Sequence, residues 1–326
     1  MYKLLSLLCF INFISASAQQ VFNKNQPLVH TFSIVAKDVA TGEMAVGVQS
    51  HWFSVGTSVP WIEAGVGGIA TQSFTDKSYG PKGLALLKQG YTAQQALDSL
   101  TKADIGRDVR QVAIVDNKGN VAAYTGSKCI KYAKHILGTN FSVQSNMMLG
   151  STVCESMETA FIKSSGKPLA ERVLLALEAA QKAGGDIRGM QSAALMVVPG
   201  KMMNTWNNKT VDVRVDDNPK PLVELRRLYN THMAYEHMNN GDLAVEKNNM
   251  QLAMTEYNAA MKMFPGNLEM QYWTAITLAN NKQITKAAAM LKTIYGKNKN
   301  WLELTKRLPP VGLLTVSDSD LKKLTN

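Results

Sequence analysis

Residues 30–50, HTFSIVAKDVATGEMAVGVQS, carry the strongest structural signal in this chain. The segments 31–36 and 44–50 are rich in β-branched and apolar residues, which is typical of strands, and the intervening KDVATGE favours a turn. The stretch is therefore predicted to form a β-hairpin. Thr31 is the first residue of the first predicted strand. Either it occurs there only because β-branched residues favour strands, or it has a chemical role.

The residues after this hairpin predict further strands separated by pairs of helices. The predicted strands lie at 57–61, 65–73, 110–126 (a hairpin), 141–148 and 191–198. The predicted helices begin near Pro81, at the capping boxes Thr92–Gln95 and Thr152–Glu155, and near Pro168. Paired helices between antiparallel strands favour an α+β fold, whereas a strict strand–helix alternation would favour a parallel sheet.

The chain changes character after residue 200, where the sequence becomes polar and rich in turn residues. We place a domain boundary near 215–225, and from about residue 236 we find a helical repeat typical of tetratricopeptide units. The residues at repeat spacing are Gly241, Ala253, Tyr257, Ala260 and Pro265, followed by a weaker copy with Ala275, Leu278, Ala287, Leu291 and Ile294. The alternative is a chance coincidence of apolar residues in ordinary helices.

The N-terminal residues, MYKLLSLLCFINFISASAQQ, have the pattern of a signal peptide. One early lysine precedes an apolar run from Leu4 to Ile14, and the small residues Ala16-Ser17-Ala18 follow. The run is too short for a permanent transmembrane helix, and we find no other segment that is apolar enough to span a membrane. We therefore expect cleavage after Ala18 and a periplasmic or secreted protein.

The charge and the cysteine content exclude several classes of function. The formal net charge of +10 does not indicate nucleic-acid binding, because the basic residues are not interleaved with aromatic residues in one patch. The histidines and cysteines lack metal-ligand spacing, so we expect no metal and no cofactor. Once the signal peptide with Cys9 is removed, Cys129 and Cys154 remain, either as separate thiols or as a disulfide.

Five stretches between residues 31 and 198 carry a family resemblance. They read TFSIVAKDVATGEMAVGVQS, WFSVGTSVPW, EAGVGGIATQSFTDKSYGPKGLALL, QVAIVDNKGNVAAYTG and GGDIRGMQSAALMVV. In this order they resemble the bacterial family catalogued as domain of unknown function 1028. The resemblance implies an N-terminal-nucleophile (Ntn) hydrolase-like fold, a four-layer αββα sandwich in which two antiparallel sheets lie between helical layers.

The resemblance also implies a kind of chemistry. Ntn hydrolases are amidases and peptidases whose nucleophile is a Thr, Ser or Cys at a free N-terminus, with the α-amine as the general base. In this sequence Thr31 is the candidate catalytic residue. Signal cleavage would leave residues 19–30 ahead of it, so this role requires a second cut between His30 and Thr31.

Polar residues at the predicted strand ends are the candidates for substrate binding, because sandwiches of this type open their cleft there. These candidates are Ser50, His51, Gln72, Ser73, Gln144, Asn146, Asp186, Arg188 and Gln191. Arg188 could clamp a substrate carboxylate through a bidentate contact, or it could pair with Asp186 in a purely structural role. The amide side chains could be oxyanion donors, or they could satisfy local backbone groups.

The sequence thus predicts the following order of segments. They are a signal peptide (1–18), an N-terminal extension (19–30), the αββα domain (31–215), a linker helix (216–235), tetratricopeptide-like repeats (236–300) and a C-terminal tail (301–326).

Three readings of the function remain open. The first is an exported amidohydrolase or peptidase that acts on a small amide or peptide. The alternative is a non-catalytic binding protein of the cell envelope, which would use the same fold for a ligand and the helical repeats for a protein or peptide partner. In the third reading residues 31–198 are the functional unit, and the repeats only help the chain to form a homo-oligomer.

Overall fold

The computed structural model describes residues 28–203 and 208–326, so the predicted signal peptide and most of the predicted extension lie outside the described residues. The strands are β1 (Leu28–Val29), β2 (Thr31–Lys37), β3 (Met44–Ser50), β4 (Pro60–Glu63), β5 (Gly67–Phe74), β6 (Arg110–Asp116), β7 (Val121–Thr125), β8 (Lys134–Gly138), β9 (Phe141–Ser145), β10 (Ser192–Val198) and β11 (Val211–Val215). The helices are α1 (Tyr79–Lys88), α2 (Ala93–Ala103), α3 (Val153–Lys163), α4 (Leu169–Lys182), α5 (Pro221–Glu246), α6 (Met250–Met263), α7 (Leu268–Asn280), α8 (Ile284–Lys297), α9 (Asn300–Arg307) and α10 (Asp318–Thr325).

These strands form two antiparallel sheets. The larger sheet has the order β11-β10-β3-β2-β9-β8, and its centre is the predicted hairpin of β2 and β3. In the smaller sheet β5 pairs with β6 and then β7 on one side, while β4 and the short β1 pair with different parts of its other edge. Antiparallel pairing throughout agrees with the hairpin signals in the sequence.

The layers follow from the two-residue periodicity of the strands. In β2, Phe32 and Ile34 pack in a core with α3, α4 and the start of α5, whereas Val35 faces the other sheet. Ile69 of β5 belongs to a second core, between the smaller sheet and the helices α1 and α2. The order is therefore helices, sheet, sheet, helices, which is the predicted four-layer αββα sandwich.

The two predicted capping boxes at helix starts have different outcomes in the structure. The capping box at Thr92 is confirmed, since the Thr92 hydroxyl accepts a hydrogen bond from the Gln95 backbone and the Gln95 side chain accepts one from the Thr92 backbone. The predicted box at Thr152 is wrong. Its backbone angles of φ −97° and ψ 7° are not the extended ones of a capping residue, and its side chain makes no capping hydrogen bond.

Three strands were not predicted from the sequence, and each lies at an edge of a sheet. Strand β1 has only two residues, β8 has no fully buried residue, and β11 alternates within a segment rich in polar residues. Edge strands bury fewer side chains than central strands, so their apolar pattern is weaker. Because β1 pairs with β5, the sandwich begins before residue 31, the predicted start of the domain.

The C-terminal region is helical and is joined to the sandwich by α5. This 26-residue helix spans the predicted linker helix and the start of the predicted repeats. Its first half contributes Leu222 and Leu225 to the core of the larger sheet, and its second half packs against α6. A methyl group on Gly241 would lie 2.3 Å from the Tyr257 ring, so glycine allows these two helices to approach closely.

The remaining helices continue this packing. Helices α7 and α8 share a core with residues of α9, α10 and the segment between them, so the predicted tail at 301–326 contains two packed helices. The assignment of the helices to tetratricopeptide units stays a prediction. None of the helices in 28–203 and 208–326 is both long and apolar enough to cross a membrane.

The two helix starts offer a direct test of the capping geometry. We expect Thr92→Ala to lower the free energy of unfolding by about 1 kcal/mol, because it removes a real cap, and Thr152→Ala to lower it by less than about 0.5 kcal/mol. Urea unfolding followed by circular dichroism measures both changes. Equal losses in the two variants would contradict the capping geometry described here.

Candidate functional site

A polar cluster lies between the two sheets at the start of β2. Because Phe32 and Ile34 face the helices, Thr31 and Ser33 face the smaller sheet. Both side chains are completely buried. Deeper in the same space the sheets meet through Val35, Val46 and other apolar residues, so the cluster is the polar end of an otherwise apolar interface.

A glutamine side chain links the two sheets at Ser33. The Ser33 hydroxyl donates a hydrogen bond to Oε1 of Gln72 over 2.6 Å and accepts one from Nε2 of Gln144 over 2.6 Å. Gln72 belongs to the smaller sheet, whereas Gln144 lies beside Ser33 in the larger one. Buried polar groups are expensive unless they are hydrogen-bonded, so the bond between Ser33 and Gln72 holds the sheets together at this end.

Gln111 of β6 is the centre of the cluster. Its Oε1 accepts hydrogen bonds from Nε2 of Gln72 over 2.7 Å and from Nδ2 of Asn146 over 2.8 Å. Its Nε2 donates to the Ser145 carbonyl over 2.9 Å and to the Thr125 hydroxyl over 2.9 Å. Both ends of this amide are thus used, and their partners come from both sheets.

The His30 side chain is also buried in this cluster. Its Nδ1 lies 2.6 Å from Oδ1 of Asn146, and its ring meets the Phe74 ring edge-on at 5.8 Å between centroids. Because the Asn146 amide nitrogen donates to Gln111, its oxygen is the acceptor, and His30 Nδ1 therefore carries the proton. Burial lowers the pKa of His30 from its usual value, which favours the neutral ring.

The carbonyl oxygen of His30 is held by two strong donors. Nη2 of Arg188 donates to it over 2.9 Å, and the Ser50 hydroxyl donates to it over 2.5 Å. Asp186 fixes the guanidinium through two hydrogen bonds of 3.0 and 2.7 Å, and its carboxylate also accepts from the His51 backbone. The positive charge of Arg188 is thereby directed at the carbonyl of the peptide bond that precedes Thr31.

The next carbonyl is held as well. The Thr31 oxygen accepts hydrogen bonds from Nε2 of Gln72 over 3.2 Å and from the Asn146 backbone over 3.1 Å. Both carbonyls that flank the Thr31 backbone nitrogen and Cα are therefore fixed by groups from other strands and loops. Positions of this kind suit either a rigid structural element or a preorganised reaction site.

The structure brings six of the predicted binding residues together around His30 and Thr31. They are Ser50, Gln72, Gln144, Asn146, Asp186 and Arg188.

The other three predicted binding residues contribute differently. His51 reaches the cluster only through its backbone, and Ser73 lies beside the Cys129 thiol. The Gln191 side chain bonds to Asp217 at the surface.

Sequence reasoning missed three members of the cluster: His30, Ser33 and Gln111. Ser33 and Gln111 had a detectable signal, because each occupies a position where the strand alternation predicts an apolar side chain between the sheets. For His30 there was no local signal, since its partner Asn146 is 116 positions away in the chain.

Access to this cluster differs between its two sides. On the side of Phe74, strand β1 pairs with the end of β5, and the chain continues from it through His30 into β2. On the side of Gln111 there is an open cleft of about 640 Å³, whose lining includes Thr125 and His135. The Thr125 hydroxyl, which accepts from Gln111, lies 2.8 Å from Nδ1 of His135 and thus connects the cleft to the buried cluster.

The donor groups in the described chain do not form a metal site. Within 28–203 and 208–326, no three His, Cys, Asp or Glu side chains are placed to bind one ion.

Cys129 and Cys154 are both free thiols rather than a disulfide. Burial raises the pKa of Cys154 to about 11, so this thiol stays protonated at neutral pH.

Comparison with known proteins identifies relatives of the sandwich. Residues 31–225 match the model of the Family of unknown function (DUF1028). A solved structure from Silicibacter pomeroyi, a DUF1028 protein, is 30% identical, with a TM-score of 0.55 over 61% of this chain and 88% of that one. Anbu (ancestral beta-subunit) from Yersinia bercovieri is 10% identical, with a TM-score of 0.32 over 61% of this chain and 93% of that one. No curated protein matches the chain.

The central position of Gln111 predicts a large effect of its removal. Gln111→Leu leaves the amide nitrogen of Asn146 without its acceptor and removes one of the two acceptors of the Gln72 amide nitrogen, and we expect a loss of about 3 kcal/mol or more in the free energy of unfolding. Gln191→Leu is the matched control, because it removes one exposed bond, and we expect a loss below about 0.5 kcal/mol. Similar urea midpoints for the two variants would show that Gln111 does not hold the sheets together.

The buried His30 and the half-buried His135 predict a pH dependence of stability. Burial lowers the pKa of both His30 and His135, so below about pH 6.5 the unfolded chain binds protons that the folded chain does not. Their stabilising contribution is therefore complete above about pH 6.5 and is lost as the pH falls. We expect the free energy of unfolding to decrease from about pH 7.5 to about pH 5.5 and the decrease to be smaller in a His30→Gln, His135→Gln double variant. An equal decrease in the double variant and the wild type would contradict this assignment.

Proposed function

Since the chain belongs to the family DUF1028, whose description assigns no activity, its chemistry must come from the site, and we propose that it is an exported Ntn-type amidohydrolase with Thr31 as the nucleophile. In this proposal the chain is inactive until the bond between His30 and Thr31 is cut. The substrate is a small amide or peptide. The export rests on the signal-peptide pattern of residues 1–18.

One observation carries this proposal: the carbonyl of His30 is polarised as an electrophile directly before a buried threonine. Arg188 and Ser50 donate to its oxygen over 2.9 and 2.5 Å. Donors that are already in place where negative charge develops are the largest single source of rate enhancement in many acyl-transfer enzymes. The buried Asp186 carboxylate holds the Arg188 guanidinium in place, so this donor is already oriented towards the carbonyl oxygen.

The first reaction is a cut of the chain by itself. The Thr31 hydroxyl oxygen attacks the His30 carbonyl carbon and forms a five-membered ring with the Thr31 backbone. The bond from this carbon to the Thr31 nitrogen then breaks, and the hydroxyl proton ends on that nitrogen, which leaves an ester and a free amine. Water hydrolyses the ester to a His30 carboxylate and regenerates the Thr31 hydroxyl. Arg188 and Ser50 stabilise the oxyanion in each addition step.

The same groups serve the later reaction on substrates. The new α-amine of Thr31 takes the hydroxyl proton as the oxygen attacks an amide carbonyl. A neighbouring positive charge favours the neutral form of an amine, so Arg188 lowers the pKa of this amine and keeps more of it in the basic form. Arg188 thereby supplies a cation beside the nucleophile, and Asp186 holds it in position.

A non-catalytic role is the second candidate function, and one observation favours it. With the preceding residues attached, the Thr31 side chain is completely buried, so no substrate reaches it in the uncut chain. If that state persists, the cluster is a structural lock between the sheets. The protein would then bind a ligand, and the helical region would bind a protein or peptide partner.

The self-cleavage can be tested by intact mass spectrometry of the purified full-length chain. We expect the wild type and Thr31→Ser to lose the residues before position 31, and Thr31→Ala to stay uncut, because alanine has no hydroxyl group that could attack the carbonyl. Arg188→Ala should slow the cut by about 100-fold. Arg172→Ala, which removes an arginine that pairs with Asp38 outside the cluster, is the matched control and should cut at the wild-type rate. A wild-type chain that stays whole overturns the proposal.

A further inference from the structure

We propose that the pocket filled by the His30 side chain is the specificity subsite for the acyl part of the substrate, and that it takes a neutral imidazole or a similar flat ring with one N–H donor. This inference rests on the proposed function, and it names the substrate class: amides whose acyl group is histidine-like. The residues that determine the specificity are Asn146 and Phe74.

The walls of the pocket match a small flat ring. Phe74 contacts the His30 ring edge-on, with an angle of 88° between the planes, and Oδ1 of Asn146 lies 2.6 Å from Nδ1. His30 is completely buried, so the ring fills its site without a solvent-filled margin. An aliphatic side chain of similar volume would fit the space but would leave the Asn146 oxygen without a donor.

Hydrogen bonds outside the pocket fix the orientation of the Asn146 amide. Asn146 cannot rotate its amide without loss, because its nitrogen donates to Gln111 over 2.8 Å and Gln111 is itself held by Gln72 and Ser145. The pocket therefore always presents an acceptor to the ring. A side chain that can only accept hydrogen bonds is rejected, since two acceptors would face each other in a buried site.

The charge around the pocket selects a neutral ring. Burial is the largest influence on the pKa of His30 and lowers it, and the nearby Arg188 guanidinium acts in the same direction, while the hydrogen bond to Asn146 and the charge of Asp186 oppose them. Nε2 of His30 is buried and has no hydrogen-bond partner among the described residues. The site thus satisfies one N–H group and offers no group to pair with a second, as a charged imidazolium would require.

The position of His30 connects this pocket to the substrate. In the proposed self-cleavage, His30 supplies the acyl group that Thr31 accepts. Every later substrate must bring its carbonyl to the same hydroxyl and to the same donors, Ser50 and Arg188. The side chain next to that carbonyl then lies where the His30 side chain lies now. In the uncut chain, His30 therefore occupies the position that the acyl group of the preferred substrate would take.

A cavity variant of the full chain tests the subsite without relying on catalysis. His30→Gly removes the ring, and we expect added imidazole at about pH 8, where it is mostly neutral, to raise the midpoint of thermal unfolding by a few degrees. 1-Methylimidazole, which has no N–H donor, should raise it far less, and neither compound should shift the wild type. Adding Asn146→Leu to His30→Gly should abolish the difference between the two compounds. Equal shifts by both compounds, or no shift by either, would overturn the subsite.

A second variant covers the case in which His30→Gly does not fold. His30→Leu has a side chain of similar volume but no donor, so we expect its thermal midpoint to fall by several degrees. His30→Asn keeps an N–H donor and should fall by less. A His30→Leu chain as stable as the wild type would show that the contact with Asn146 selects nothing.

A substrate comparison separates this inference from the proposed function. In chains that have been cut before Thr31, we expect N-acetyl-histidine 4-nitroanilide to be hydrolysed at least about tenfold faster than N-acetyl-leucine 4-nitroanilide. Hydrolysis of both at similar rates would uphold the amidohydrolase and overturn the subsite. A chain that stays whole but selects imidazole in the His30→Gly variant would overturn the amidohydrolase, and the pocket would then be a ring-binding site.

Discussion

The hydrogen bonds of Gln111 are the constraint on which this end of the molecule depends. Two antiparallel sheets pack through small apolar side chains over most of their interface, but where β2 begins the interface turns polar. Gln111 accepts from one glutamine and one asparagine and donates to two further groups, so buried polar atoms of both sheets find partners. The position of the His30–Thr31 peptide follows from this network, because Gln72 and Asn146 hold the Thr31 carbonyl.

The sandwich positions the polar cluster, whereas the helical region lies outside it. Hairpins and two-residue periodicity position the cluster at the ends of strands from both sheets, and the loop that carries Asp186 and Arg188 closes over it. The helical region is anchored through α5, whose first half is part of the sandwich core. It therefore extends the fold without adding a residue to the polar cluster.

More of the fold than of the candidate site could be predicted from the sequence. The hairpin at 31–50 and the αββα order could be inferred because central strands bury long apolar faces and helices cap them. The edge strand β11 was missed although its residues alternate, because the surrounding segment is rich in polar and turn residues. In the site, strand-end positions identified residues such as Asn146 and Arg188. The role of His30 depends on contacts across 116 and 158 positions of the chain, and no local pattern contains them.

The proposed chemistry requires that the buried threonine at the head of β2 becomes the first residue of the active protein. The most direct test is the N-terminal residue of the protein purified from its natural compartment, determined by N-terminal sequencing together with the intact mass. We expect a chain that begins at Thr31. A chain that retains His30 and the residues before it, in the form that carries out the biological function, would contradict the proposed role of Thr31.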